Sequence, residues 1–307
     1  MAASAERRVA SAVDEEPLVV PSADGDLLAI VTRPPGPSSG TAAVLLRGAG
    51  WRPSSGPRRT QVRLARRLAT GGMHAVRFSY HGVAESGGRG EEIVRLDQPY
   101  VDDVAAVARR LAGEGLRLVL VGNCFGARTA LSYAARAPAE EIVGLVLVVP
   151  PVHDFEVARR LDRRPMGVLV RRITPARAWR VLRSRTRRRA MGRTVRALSQ
   201  VGTRRVGGGR RGADPVWLSR SLCRELAAVT TRGVPVLLVY GDEDNYGRDF
   251  DAAQVGTLGA VVAAAGPLVE RVTVPGRIHG LTSIATQQAT LDEVERWVLS
   301  RCAGPSR

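Results

Sequence analysis

A cysteine between two glycines is the feature of the sequence that points most directly to chemistry. In the segment GNCFG, Cys124 lies where the apolar run LRLVLV gives way to the helical pattern ARTALSYAARA. So sharp a turn needs Gly122 and Gly126, because the strand and the helix approach too closely for a Cβ atom. The thiol then lies at a helix N-terminus, which favours the thiolate. We predict that Cys124 is a nucleophile and that the N–H of Phe125 stabilises an oxyanion.

Short apolar runs alternate with helical patterns on both sides of this turn. EPLVV and LLAIVTR predict a hairpin, and later strands are predicted from TAAVLL, HAVRFSY, LRLVLVG, IVGLVLVVP, VPVLLVYG and LVERVTV. Among the intervening helices, the first places Val62, Leu64, Ala65 and Leu68 on one side, and AAQVGTLGAVVAAAG predicts one helix near the end. The alternation is typical of βαβ units and predicts an α/β fold with a mostly parallel twisted sheet and helices on both faces.

The cysteine turn, in this strand-to-helix context, resembles the nucleophile elbow of the α/β-hydrolase superfamily, G-x-S-x-G, with cysteine in place of serine. The resemblance covers nearly the whole chain outside a basic insertion. FSYHGVAESGG also resembles a Gly-rich segment of many members, with Ala84 replacing a glycine. The resemblance implies an α/β-hydrolase fold and a triad in the order nucleophile, acid, histidine.

The acid and the histidine of this triad are implied by the same resemblance. The acid is expected just after a later strand, and VPVLLVYGDEDNYG offers Asp244 as the best match, with Asp242 and Glu243 as rivals. The histidine is expected in the loop after the last strand, and LVERVTVPGRIHGLT places His279 there.

The second oxyanion donor is also implied by the resemblance. The loop RGAGW resembles the His-Gly oxyanion loop of the superfamily, with Arg47 in place of the histidine. The N–H of Ala49 is therefore the candidate for the donor that acts together with Phe125.

The implied chemistry is acyl transfer through an acyl-cysteine intermediate, in which His279 takes the proton of the Cys124 thiol and Asp244 orients His279. An acyl-cysteine is close in energy to a thioester, so exchange with a thioester of coenzyme A or of a carrier protein is nearly reversible. We expect a thioesterase or acyltransferase that acts on a small or medium acyl substrate. By analogy, such an enzyme would belong to secondary metabolism. Cysteine also occurs at the elbow of enzymes similar to dienelactone hydrolases, so lactone or ester hydrolysis is the alternative.

The positive charge is concentrated in one segment. The net charge is +17, and about twenty arginines lie between Glu156 and Arg220 against three acidic residues. This is where the superfamily usually inserts a cap, so a helical basic cap is predicted, whose positive face would suit an anionic partner such as coenzyme A or an acidic acyl carrier protein. A second alternative is a non-catalytic protein that binds nucleic acid or an anionic membrane surface. The 4% aromatic content and the lack of a nucleic-acid motif speak against it.

The cysteines, the histidines and the apolar runs of the sequence limit which class of protein this chain can belong to. Three well-separated cysteines and four histidines suggest neither a disulfide framework nor a metal site, and no cofactor is expected. The start MAASAERRVASAVDEE lacks the apolar stretch of a secretory signal, and no apolar run could span a bilayer, which favours a cytoplasmic protein. The predicted division is a disordered tail (1–16), the first half of the core (17–150), the cap (151–215) and the second half of the core (216–307).

Overall fold

The computed structural model describes residues 13–47, 54–89, 96, 100–138, 140–154, 214–215, 217–281 and 283–303. Within these ranges eight strands form one sheet: β1 (Asp14–Val20), β2 (Leu27–Arg33), β3 (Thr41–Leu46), β4 (His74–Phe78), β5 (Arg117–Asn123), β6 (Ile142–Val148), β7 (Val236–Gly241) and β8 (Val269–Val274). Their order across the sheet is β1-β2-β4-β3-β5-β6-β7-β8. The β1–β2 and β2–β4 pairs are antiparallel, and the other pairs are parallel.

Helices pack on this sheet in two groups. Those in the described ranges are α1 (Thr60–Thr70), α2 (Val101–Ala112), α3 (Phe125–Ala134), α4 (Arg220–Thr231), α5 (Asn245–Ala253), α6 (Thr257–Ala265) and α7 (Ile284–Cys302). Helix α1 packs against α7, whereas α2, α3, α4 and α6 pack in succession. Strands β3, β5, β6 and β7 are buried at nearly every residue, as expected for a sheet covered on both faces. The predicted fold class is therefore confirmed.

The first elements follow the sequence pattern closely. The predicted hairpin is formed by β1 and β2, which pair from Asp14 with Arg33 to Val20 with Leu27. Helix α1 buries the predicted side. Strand β1 begins at Asp14, so residues 14–16 belong to the sheet, although the predicted tail includes them.

The prediction of one helix over AAQVGTLGAVVAAAG is wrong. The chain forms two separate helices there, α5 and α6, with a break at Gln254–Gly256. The carboxylate of Asp214 accepts hydrogen bonds at 2.6 Å from the N–H and the hydroxyl of Thr257, and so caps α6. A Cβ atom at Gly256 would overlap the Asp214 side chain. The break therefore depends on a carboxylate 43 residues earlier in the chain.

Helix α4 is an element that the sequence analysis missed. Ser219 caps it, because its side chain accepts a hydrogen bond from the N–H of Leu222 at 3.1 Å. The buried residues of the helix follow helical spacing, and this signal is present in the sequence: Leu222, Cys223, Leu226, Val229 and Thr230.

The two ends of the basic insertion meet beside α3. His153 and Leu218 form an isolated antiparallel bridge. Arg128, a fully buried residue of α3, binds both ends through bonds to Pro151 O, His153 O, Asp154 Oδ1, Ser219 Oγ and Ser221 Oγ. Residues 155–213, and with them the predicted cap helices, lie outside the described residues, so the predicted division of the chain stays a prediction. Of the described helices, none has the length and apolarity that crossing a membrane requires.

Candidate active site

Cys124 lies in a strained turn between β5 and α3. Its backbone has φ 51° and ψ −110°, a conformation that residues with side chains seldom adopt. Its N–H donates a hydrogen bond to the carbonyl of Val148 at 2.8 Å, which ties the turn to the end of β6. The thiol therefore stands at the end of the parallel strands, directly before the first turn of α3.

The two glycines beside the cysteine are required by backbone packing. A Cβ atom at Gly122 would overlap the backbone of Gly126 and Ala127, and one at Gly126 would overlap the carbonyl groups of Leu46 and Arg47. Backbone atoms cannot move aside as a flexible side chain can. The close approach predicted from the GNCFG segment is therefore present, and it also brings the end of β3 against the start of α3.

His279 lies beside the cysteine. Its Nε2 atom is 3.4 Å from the Sγ atom of Cys124. The ring packs against Tyr246, with ring centroids 4.8 Å apart, and Tyr246 stacks on His153 with centroids 5.8 Å apart and an angle of 8° between the planes. Sequence reasoning missed Tyr246 and His153 as neighbours of the site, because only the folded chain brings residues so distant in sequence together.

The three rival acids occupy different environments. Asp244 is 2% exposed, and its carboxylate accepts hydrogen bonds from the N–H groups of Gly241 at 3.2 Å, Ile278 at 2.9 Å and His279 at 3.2 Å. Asp242 is exposed and accepts one bond from the N–H of Gly276, and Glu243 is exposed as well. Of the three, Asp244 is the acid that is buried and bonds to the backbone of His279 itself.

Of the two predicted oxyanion donors, one can be located. Phe125 is the first residue of α3, where the N–H has no acceptor within the helix. Ala49 lies outside the described residues. Nearby, Arg47 is 5% exposed, and its carbonyl accepts a hydrogen bond from the Tyr80 hydroxyl at 3.4 Å.

A cavity of about 340 Å³ opens at the cysteine and the histidine. Besides Cys124 and His279, it is lined by the ends of β3, β5 and β6, by the first turns of α1 and by the middle of α7. Its walls are mostly apolar. The cavity gives the reacting atoms an adjoining space in which a substrate can be held.

One group of side chains outside this site combines ligand types that metals bind. Asp24, His81 and Asp103 each place a ligand atom within 4.8 Å of the others. The Nδ1 atom of His81 lies 2.9 Å and 3.1 Å from the oxygens of Asp103 and 4.0 Å from Asp24. Burial raises the pKa of Asp103, although the hydrogen bonds from His81 act in the opposite direction. A bond between His81 and Asp103 accounts for the arrangement and fixes the loop after β4 to the start of α2.

The strand order, the strained elbow and the histidine after the last strand define an α/β hydrolase. A family comparison matches residues 58–281 to Hydrolase_4, described as serine aminopeptidase, S33, and the chain belongs to this family of enzymes. No curated protein matches the sequence.

Solved structures agree with this fold. A proline iminopeptidase from Mycobacterium smegmatis is 17% identical, with a TM-score of 0.56 over 93% of this chain and 98% of that one. An esterase from Pyrococcus furiosus is 13% identical, with a TM-score of 0.57 over 97% and 95%. A dienelactone hydrolase from Anabaena variabilis is 14% identical, with a TM-score of 0.54 over 94% and 99%. At these identities the likeness concerns the fold.

Proposed function

We propose that the protein is an acyl-transfer enzyme in which Cys124, His279 and Asp244 act as a triad through an acyl-cysteine intermediate. The observation that carries this proposal is the 3.4 Å distance between Cys124 Sγ and His279 Nε2 at a strained elbow. A strained conformation is retained where the surrounding structure holds it in place, and such residues cluster at active sites. In this proposal a thiol is the nucleophile, whereas the name of the family refers to a serine.

The mechanism follows from the positions of these groups. His279 Nε2 takes the thiol proton as Sγ attacks the substrate carbonyl, and the N–H of Phe125 donates to the oxyanion. Collapse of the tetrahedral intermediate breaks the bond to the leaving group, which leaves with the proton from His279. Water or another acceptor then attacks the thioester on Cys124, with His279 as the base, and regenerates the thiol. We assign the second oxyanion donor to Ala49.

The cysteine favours ester or thioester substrates. A thiolate leaves a tetrahedral intermediate more readily than an amine does, so a thiol at this position suits amide hydrolysis poorly. We therefore assign the enzyme to thioester hydrolysis or acyl transfer. Lactone or ester hydrolysis like that of dienelactone hydrolases is the second candidate, which the structural likeness to one such protein leaves open.

The acyl donor that we propose is a thioester of coenzyme A or of an acidic carrier protein. Between Glu156 and Arg220 the chain carries about twenty arginines. Both donors are anionic, so this segment would attract them at low salt. From α3, the helix that begins at Phe125, Arg128 bonds to Pro151 and Asp154 just before this segment and to Ser219 near its end.

The test is intact-protein mass spectrometry after incubation with a panel of acyl-thioesters, lactones and activated esters. We expect a mass increase equal to one acyl group in the wild type and in Cys223→Ala, a control at a buried cysteine outside the site. Cys124→Ala should give no adduct. Cys124→Ser should react slowly, because an alcohol is much less acidic than a thiol.

The outcomes separate the candidate functions. Adducts from thioesters support the acyl-transfer assignment, and adducts from lactones alone support the second candidate. Acylation that persists in Cys124→Ala would contradict the assignment of Cys124 as the nucleophile. No adduct and no turnover with any substrate, together with anion binding that moderate salt abolishes, would support a non-catalytic binding role for the basic segment.

A further inference from the structure

The cavity at Cys124 leads to one side of the molecule. From Cys124 and His279 it extends between helices α1 and α7. These two helices pack against each other, separately from the α2, α3, α4 and α6 group to which Arg128 holds the ends of the insertion. No described residue of the insertion lines the cavity. A substrate group placed there lies within the core, beside α1 and α7.

The walls of this cavity are hydrocarbon for most of their area. Helix α1 contributes Leu64, and helix α7 contributes Leu291 and Val294, which are 5%, 4% and 1% exposed. Thr290 also lines the cavity, but its hydroxyl donates to the carbonyl of Thr286 at 2.8 Å within its own helix. Such walls favour an alkyl group, because each methylene that enters loses its contact with water.

The size of the cavity limits the occupant. At about 340 Å³ it lies near the lower end of the range of small-molecule sites, which is about 300 to 1,000 Å³. A single chain of medium length fits this space, whereas a polycyclic group or a long chain would exceed it. Cys124 and His279 line the cavity, so a chain inside it can present its carbonyl carbon to Cys124.

We infer that this cavity is the acyl-chain site of the enzyme and that it selects an aliphatic acyl group of medium length. The inference rests on the proposed function. It adds the substrate class and assigns the selection of chain length to α1 and α7. Arg47 also lines the cavity, so an acyl group that ends in a carboxylate is the competing substrate that the test has to include.

The test compares acylation of Cys124 by acetyl, hexanoyl, decanoyl, palmitoyl and adipoyl esters of p-nitrophenol. Single-turnover rates are measured by intact mass for the wild type, Val294→Phe and Val294→Ala. The controls Val255→Phe and Val255→Ala make the same changes at a residue that is 67% exposed and outside the cavity. The wild type should react fastest with hexanoyl or decanoyl esters.

The two Val294 variants should shift the preference in opposite directions. Val294→Phe fills the cavity and should lower the ratio of decanoyl to acetyl rate at least tenfold. Val294→Ala enlarges the cavity and should move the fastest substrate to a longer chain, and it serves as the test if Val294→Phe does not fold. The Val255 variants should keep the wild-type ratio.

Two results would overturn the inference while the proposed function stands. One is a chain-length preference that is equal in all variants, and the other is a faster rate with adipoyl than with hexanoyl ester, which would assign the cavity to anionic acyl groups. Absence of any acylation would instead contradict the proposed function. In that case the thermal shift caused by decanoic acid, compared between the wild type and Val294→Phe, tests the cavity by itself.

Discussion

Asp244 holds His279 through the backbone. The Oδ1 atom of Asp244 accepts the N–H of His279 at 3.2 Å, while Oδ2 accepts the N–H groups of Ile278 and Gly241. Within the described residues, these backbone groups are the hydrogen-bond donors to this carboxylate. The acid therefore fixes the position of the loop from which the His279 ring reaches Cys124, and the ring itself packs against Tyr246.

Replacing Asp244 should affect both stability and acylation. In Asp244→Asn an amide NH2 faces backbone N–H donors, so at least one buried donor loses its acceptor. We expect a loss of about 2 kcal/mol in the free energy of unfolding and an acylation rate about 10²-fold lower, because the loop carrying the base is displaced. Urea unfolding and single-turnover acylation measure the two effects.

Asp242→Asn is the matched control for this variant. Asp242 is exposed and accepts one bond from the N–H of Gly276, which an asparagine oxygen can also accept. Its stability should change by less than about 0.5 kcal/mol. A rate loss in Asp242→Asn with a normal rate in Asp244→Asn would assign the acid to Asp242.

The strain at Cys124 should be measurable as stability. With φ at 51° and ψ at −110°, a residue without a Cβ atom is favoured. Cys124→Gly should therefore be more stable than Cys124→Ala by about 1 kcal/mol, after the entropy that glycine gains in the unfolded chain is subtracted. Thermal unfolding of the two inactive variants gives the difference.

Ala84→Gly tests the same effect outside the site. Ala84 is exposed, has φ at 52° and stands where the Gly-rich segment of the superfamily has a glycine. This variant should be more stable than the wild type and should acylate at the wild-type rate. If Cys124→Gly and Cys124→Ala unfold at equal temperatures while Ala84→Gly is stabilised, the elbow carries no strain.

The three cysteines should differ in their reactivity with iodoacetamide. Cys124 is partly exposed, whereas burial raises the pKa of Cys223 to about 11 and that of Cys302 to about 12. At pH 8 these two thiols stay protonated, and only the thiolate reacts. Mass spectrometry should show one adduct in the native wild type, none in Cys124→Ser and three after denaturation.

The raised pKa values of Cys223 and Cys302 predict how the stability of the protein depends on pH. A thiol whose pKa is higher in the folded than in the unfolded state contributes stability that is fully present below the unfolded value of about 9. This contribution is lost as the pH rises through about 11 for Cys223 and about 12 for Cys302. Replacing both by alanine should flatten the alkaline limb of the stability profile, and an unchanged limb would contradict the shifts.

We expect the side chain of Gln61 to lower the stability of the protein when no substrate is bound. It lines the cavity, and its Oε1 atom is buried without a hydrogen-bond partner among the residues that the structure describes. Gln61→Leu should therefore raise the free energy of unfolding by about 1 kcal/mol. Gln288→Leu is the control, because Gln288 bonds to Arg63 and Asp292 and its loss should be destabilising. Equal effects of the two changes would contradict the account of Gln61.

The sequence by itself determined most of the elements and the strand-to-helix turn at Cys124. Cys124 was recognisable because a tight strand-to-helix turn needs glycines at fixed positions, a constraint that acts over five residues. The order of strands and helices was readable from local periodicity, and α4 had the same kind of signal. The resemblance to the superfamily implied His279, in the loop after the last strand. Each of these features is encoded in residues that are close together in the chain.

The tertiary structure decided what depends on residues far apart. Asp242, Glu243 and Asp244 are equivalent in sequence, and only the packing of the histidine loop over β7 buries one of them. The break before α6 needs Asp214, and the contact of Tyr246 with His279 and His153 joins three separate segments. The cavity exists because α1 and α7, which are more than 200 residues apart in the chain, meet beside the cysteine. Local propensity cannot specify such contacts, since their energy appears only when the whole core is assembled.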